Sequence, residues 1–184
     1  MTTQLEKRLF TVQDYYKMAE VGIIKPSDRV ELLNGEVIKM SPIRSPHASM
    51  VDLLNEILTT TLHKKAIIRV QNPIRIGKYS EPEPDFSIVK IQPDRYRDRH
   101  PQPGDVLLVI EVADSSLEKD RTVKKELYAK ARISEYWIVN LTERQIEVFS
   151  QPEEGNYHSV KVFKEGTISC STIEFELSLS ELFI

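Results

Sequence analysis

Apolar and polar positions alternate with several different periods along this chain, and each change of period marks an element. Thr11 before VQDYYKMAE, with Gly22 just beyond, predicts a short helix with a hydroxyl cap and a glycine stop. RVELL and EVIKM flank Asn34-Gly35, the dipeptide that best tolerates the two positive backbone angles of a tight turn, so a β-hairpin follows. Ser45 and Pro46 then supply a cap and a first-turn residue for a core helix that runs to about His63. Val51, Leu54, Ile57, Leu58 and Thr61 recur on its one face.

The next stretch is rich in strands. AIIRVQNPIRI, DFSIVK and VLLVIEVA are β-rich runs separated by loops with Pro and Gly, and the last, apolar on both faces, predicts a central strand. A second helix is expected from about Leu117 to Ala131, then the strand EYWIVN, with QIEVFS and HSVKVFK as further antiparallel strands. Helix, three strands, helix, strand is the order of an α/β (α+β) fold with a mixed central sheet. An N-terminal helix and hairpin precede that core and antiparallel strands follow it. No repeat or linker interrupts the pattern, and 184 residues suit one domain spanning 1–184.

Composition narrows the function classes only a little. Twenty-eight acids against 25 bases give a net charge of -3, which argues against a strong non-specific nucleic-acid coat and leaves local basic patches open. The single cysteine, Cys170, has no partner for an internal disulfide and no zinc-type spacing, so a structural thiol in a reducing compartment is expected. MTTQLEKRLF lacks the apolar core of a secretory signal and VLLVIEVA is far too short to span a membrane, so a cytoplasmic location is expected, without membrane association.

Two acids stand out by position. Asp85 opens DFSIVK and Glu111 ends the apolar run VLLVIE, and if these consecutive strands pair antiparallel the start of one faces the end of the other. Two carboxylates about 4 to 5 Å apart in a half-buried site repel by roughly 3 to 4 kcal/mol at an effective dielectric near 20. A shared proton or a hard divalent cation relieves that repulsion, and oxygen ligands suit magnesium or manganese. The plainer alternative is a cap or salt bridge at the sheet rim. On the second helix Lys124, Leu127, Tyr128 and Ala131 share one stripe, which places a lysine on the inward face. That ammonium either snorkels outward or meets an anion, and the acidic pair is the nearest candidate.

Pro84-Asp85, Glu111 in an apolar strand and this order of elements together resemble the PD-(D/E)XK nuclease superfamily. ELLNGEVIKMSP, Pro46-His47, EPEPDFSIV, LLVIEVADSS and DRTVKKELYAKARISEYWIV are similar, in sequence and order, to the Uma-two family of restriction-endonuclease-like proteins. The resemblance covers nearly the whole chain. It implies a restriction-endonuclease-like fold and a metal-dependent endonuclease using Mg2+ or Mn2+ on nucleic acid, DNA above all. It also implies a homodimer as one way of cutting both strands. Two departures stand out: Ala113 occupies the place where the superfamily's strand lysine usually lies, and Ala113-Asp114 replaces a Leu-Ser pair. The family's helical D-x-x-x-K-x-x-x-Y pattern is matched by Asp120, Lys124 and Tyr128.

The resemblance also carries over Glu31 in the hairpin, as a further carboxylate of the metal site or a solvent-facing edge residue. His47, in the first turn of the core helix, is a candidate for contact with a phosphate or a metal-bound water, or a satisfied helix-start histidine. Lys90, Arg95, Arg97, Arg99 and His100 could grip phosphates, but they fall in the loop at the far end of the strands from Asp85 and Glu111, which favours a solvated loop. Two competing functions remain: a non-catalytic nucleic-acid or protein-interaction module that keeps the fold, and a hydrolase of small phosphorylated substrates. The second lacks a Gly-rich phosphate cradle.

Overall fold

The computed structural model describes residues 6–183. Thr11 caps helix α1 (Val12–Glu20) as expected, its hydroxyl accepting from the Asp14 N–H while the Asp14 carboxylate accepts from the Thr11 N–H. Strands β1 (Val30–Leu33) and β2 (Glu36–Lys39) pair antiparallel around Asn34 and Gly35, whose φ angles are 51° and 80°. Helix α2 (Ser45–Thr61) begins one residue earlier than the pattern predicts. Arg44 holds the cap position without a side-chain capping bond, and Ser45 and Pro46 form the first turn. Leu54 and Leu58 are buried, whereas Thr61 is exposed and the inward place falls to Leu62.

Strands β3 (Ile67–Val70), β4 (Phe86–Val89) and β5 (Val106–Ala113) pair antiparallel in sequence. The ladder of β3 is shorter than AIIRVQNPIRI suggests. Gln71 takes a φ of 49° and Pro73 has no N–H to donate, so the chain leaves the sheet there. β5 runs two residues past Glu111. A helical segment then crosses over in three pieces: α3 (Leu117–Lys119), a π-helical turn (Asp120–Lys124) and α4 (Lys125–Lys130). It returns to β6 (Glu135–Asn140), which lies parallel to β5.

β7 (Gln145–Glu153) and β8 (Asn156–Phe163) complete a six-stranded mixed sheet of order β3-β4-β5-β6-β7-β8. A small hairpin, β9 (Thr167–Ser169) with β10 (Glu176–Ser178), and helix α5 (Leu179–Leu182) follow. These last pieces are too short to show a period, and the sequence pattern does not predict them.

Alternation along the buried strands divides the core in two. On one face α2 lays Leu54 and Leu58 on Phe86, Ile88, Ile110 and Trp137, joined by α5 through Leu179 and Leu182. On the other, Tyr128 of α4 packs with Val109, Tyr136, Ile138 and Phe149. Each such aliphatic side chain removed from water contributes about 1.5 to 3 kcal/mol. Glu111 keeps step with Val109 and Ala113 and so points to the α4 side. The fold therefore drives a carboxylate into a closed core beneath a helix.

Gly35 has both a left-handed φ and a close neighbour: a Cβ there would stand 2.6 Å from Leu9 Cβ. Gly35→Ala is expected to lose roughly 1 to 3 kcal/mol. Urea denaturation would show a lower midpoint at unchanged slope.

Candidate active site

The strand register decides the first question. Phe86 lies opposite Ile110, which puts Asp85 opposite Glu111. The Asp85 N–H lies 3.4 Å from Glu111 Oε2 and the Val112 N–H donates to Asp85 Oδ2 at 2.9 Å. Gln71 adds two bonds, N–H to the Asp85 carbonyl and Nε2 to Oδ1 at 3.1 Å. From the first turn of α2, His47 Nε2 donates to Asp85 Oδ2 at 3.1 Å, and its buried Nδ1 has no hydrogen-bond partner among the described residues.

Glu111 is met from the crossover. Lys124 Nζ donates to Oε1 at 2.8 Å and the Tyr128 hydroxyl to the same oxygen at 3.0 Å. Lys124 also stands 3.4 Å from Glu31 Oε2, so one ammonium bridges two carboxylates from different elements. Glu31 is fully buried, not a solvent-facing edge residue. It accepts from Lys119 Nζ at 2.8 Å and from the Glu83 N–H at 3.2 Å. Asp120 Oδ2 accepts from the Ser116 hydroxyl at 2.6 Å, while its buried Oδ1 has no hydrogen-bond partner among the described residues.

The turn beneath these residues departs from α geometry. The Lys125 N–H reaches back to the Asp120 carbonyl, five residues earlier, and the Tyr136 hydroxyl donates to that same carbonyl. On a regular helix Lys119 would fall about 140° around the axis from Lys124. The wider turn returns it to the same side, beside Glu31. A straight helical wheel therefore misses Lys119. Gln71 is missed for a related reason, its left-handed backbone being invisible to a strand pattern.

Burial and charge set the protonation states. Glu111 is pushed up to about 8, by burial first, with Asp120, Asp85 and Glu31 adding to it against the pull of Lys124. Burial works on Asp85 in the same sense, but bonds from His47, Val112 and Gln71 outweigh it and hold this carboxyl below its usual range. Glu31 is likewise held low against burial, by Lys124, Lys119 and the Glu83 N–H. Burial raises Asp120. Lys124 is buried too, yet its three acidic neighbours raise it, and it stays an ammonium. The bond to Asp85 raises His47.

A cleft of about 60 Å³ opens onto this cluster, and Arg29, Arg44, His47, Gln71, Asp114 and Lys119 are among the residues that line it. Among the described residues no three His, Cys, Asp or Glu side chains already converge as a metal cage. The 90–105 loop starts at the far end of the sheet as expected. Its tail, however, doubles back, the Arg75 N–H donating to the Pro101 carbonyl.

A family profile described as "Putative restriction endonuclease" matches residues 12–180. The chain belongs to the Uma2 family. Uma2 membership makes it a relative of nucleases and makes nucleic acid the substrate class that the family implies. No curated protein matches the chain. A crystal structure described as "a putative nuclease belonging to DUF820", from Anabaena variabilis ATCC 29413, is similar, with a TM-score of 0.69 at 15% identity. The match covers 95% of this chain and 97% of that one. At that identity the likeness speaks for the fold, and the fold agrees with the Uma2 assignment. Among the described residues, no helix of this Uma2 chain is long and apolar enough to cross a membrane.

The raised Glu111 carboxyl has a thermodynamic signature. Between its unfolded value near 4.5 and its folded value of about 8, the folded protein binds the extra proton. Its contribution is complete below about pH 4.5 and is lost as pH rises through 8. Thermal denaturation of Glu111→Gln against the unsubstituted protein is expected to show the variant gaining relative stability from pH 5 to pH 8. A difference constant with pH would contradict the assignment.

Proposed function

We propose that this protein hydrolyses nucleic-acid phosphodiester bonds, those of DNA foremost, using a magnesium or manganese ion held by Asp85 and Glu111. The observation that carries the reading is the meeting of these carboxylates across β4 and β5 with Lys124 Nζ 2.8 Å from Glu111. The donor set fits a hard cation, since every side-chain ligand offered is oxygen. The charge balance fits as well. Glu31, Asp85, Glu111 and Asp120 are met directly by Lys119, Lys124 and the His47 imidazole, and among the described residues Asp120 Oδ1 has no hydrogen-bond partner.

When bound, such an ion polarises a phosphoryl oxygen and lowers the pKa of a water. Lys124 stabilises negative charge building on the phosphate oxygens, and Glu31 holds that ammonium in place from behind. Tyr128 fixes the Glu111 carboxylate, and His47 fixes Asp85. Arg29 and Arg44 at the rim suit backbone phosphates. At about 60 Å³ the cleft admits a phosphate group but falls well below the roughly 300 Å³ or more of ordinary small-ligand pockets. A strand laid across the mouth is thus favoured over a small phosphorylated substrate. A homodimer would set two such centres against two strands.

With Mg2+ or Mn2+ the purified protein is expected to nick plasmid DNA, and Asp85→Ala and Lys124→Ala each to slow nicking by at least about 10²-fold. Equal rates in all three proteins would mean contamination. Because Glu111 must give up its proton to bind a cation, Mn2+ affinity is expected to rise about tenfold per pH unit toward pH 8 and then level off. Calorimetry measures this directly. No Mn2+ binding at any pH would leave the fold as a non-catalytic binding module.

A further inference from the structure

The returning tail of the 90–105 loop encloses a second cleft, of about 340 Å³, against α1. Tyr16, Arg75, Arg97, Arg99 and His100 line it. Arg75 is built into a fixed fork. Its Nε donates to the buried Glu81 carboxylate, which also accepts the Tyr16 hydroxyl at 2.7 Å, and its guanidinium lies over the Tyr16 ring, 5.9 Å from the centroid. The Arg75 side chain also hydrogen-bonds Tyr16, and Arg97, on the same lining, is exposed. Arg99 is already clasped by Asp105 and stacked on Tyr96.

His100, 3.1 Å from the Tyr16 hydroxyl, sits below the usual imidazole range, through burial first and then the charges of Arg69 and Arg75, against the pull of Glu81. Glu81 and Asp105 are spent on fixing Arg75 and Arg99, and Asp98 is the further acid on the cleft lining. A solvated loop accounts for Arg97 but not for an arginine locked at Nε by a buried carboxylate on the cleft lining.

This cleft is also near the acidic one. Gln71 borders the first and Arg75 the second, and four residues of chain span at most about 14 Å. Glu81 and Asp85 bound the same interval on a second segment. We propose that the cleft is a subsite for a backbone phosphate of the nucleic-acid strand, a few nucleotides from the phosphate at Asp85 and Glu111. Arg75 offers a bidentate fork, Arg97 a second charge, and the partly exposed Tyr16 ring a surface for a base. This subsite rests on the nuclease reading for its ligand, not for its geometry.

Arg97→Ala tests it without risk to the fold, because Arg97 is exposed and supports nothing. Arg75→Lys keeps the charge and removes the fork. Binding of a fluorescent single-stranded oligonucleotide is followed by anisotropy in EDTA over a range of salt. Both variants are expected to bind about 3- to 10-fold more weakly. Arg97→Ala is also expected to lower the slope of log K against log salt by about 0.7. In turnover with metal, KM for the oligonucleotide rises and kcat holds. Unchanged affinity and slope in both variants would overturn the subsite while leaving the nuclease reading intact. Arginine-dependent binding with no cleavage under any metal would overturn the nuclease reading and leave the subsite standing. No binding by the unsubstituted protein would overturn the subsite outright.

Discussion

Buried negative charge that the protein does not fully neutralise is the constraint around which this molecule is organised. Glu31, Asp85, Glu111 and Asp120 come from four separate parts of the chain to one buried site, and Glu31 and Glu111 share one buried ammonium. Such a group is stable only if nearly every lone pair is met, since an ion deprived of its partner in a core costs about 3 to 5 kcal/mol. That requirement explains why so many neighbours carry donors: Gln71, His47, Tyr128, Lys119, Ser116 and the amides of Glu83 and Val112 each satisfy one of these oxygens. Where the requirement is met least, burial raises the Glu111 carboxyl, and among the described residues one Asp120 oxygen has no hydrogen-bond partner.

The two hydrophobic layers serve this arrangement. β5 is apolar on both faces because helices cover both, and that double cover makes Glu111 so poorly solvated. The side facing α2 carries no acid on β4 or β5, so α2 contributes to the centre only at its first turn, through His47. Parallel pairing of β5 with β6 requires a crossover, and the crossover brings Asp120, Lys124 and Tyr128 over the sheet.

Much of this was legible in the amino-acid order because it depends on simple periods. Asn34-Gly35 demanded a turn, DFSIVK and VLLVIEVA read as strands with the second central, and their antiparallel pairing, a condition in the sequence, is what the register supplies. Lys124 was legible because it interrupts an apolar helical stripe. Glu31 and His47 stayed open between two readings, since a lone charge in a hairpin or at a helix start looks the same whether or not it meets a site. Lys119, Gln71 and the Arg75 fork were illegible. Each depends on a backbone irregularity, the π turn, a left-handed residue or a loop that doubles back, and none of these leaves a period.

The placement of the lysine on the crossover has a consequence for the order in which the acidic cluster is assembled. Where an acid and its lysine share a strand, one hairpin carries both. Here a hairpin of β4 and β5 alone would set Asp85 against Glu111 with no ammonium between them, a repulsive pair open to water. Only docking of the crossover, a long-range event that also requires β6, supplies the counter-charge. Partly folded chains, and native chains whose crossover opens locally, therefore leave the acidic pair without its counter-charge, so the integrity of one helical segment governs whether the whole centre is assembled.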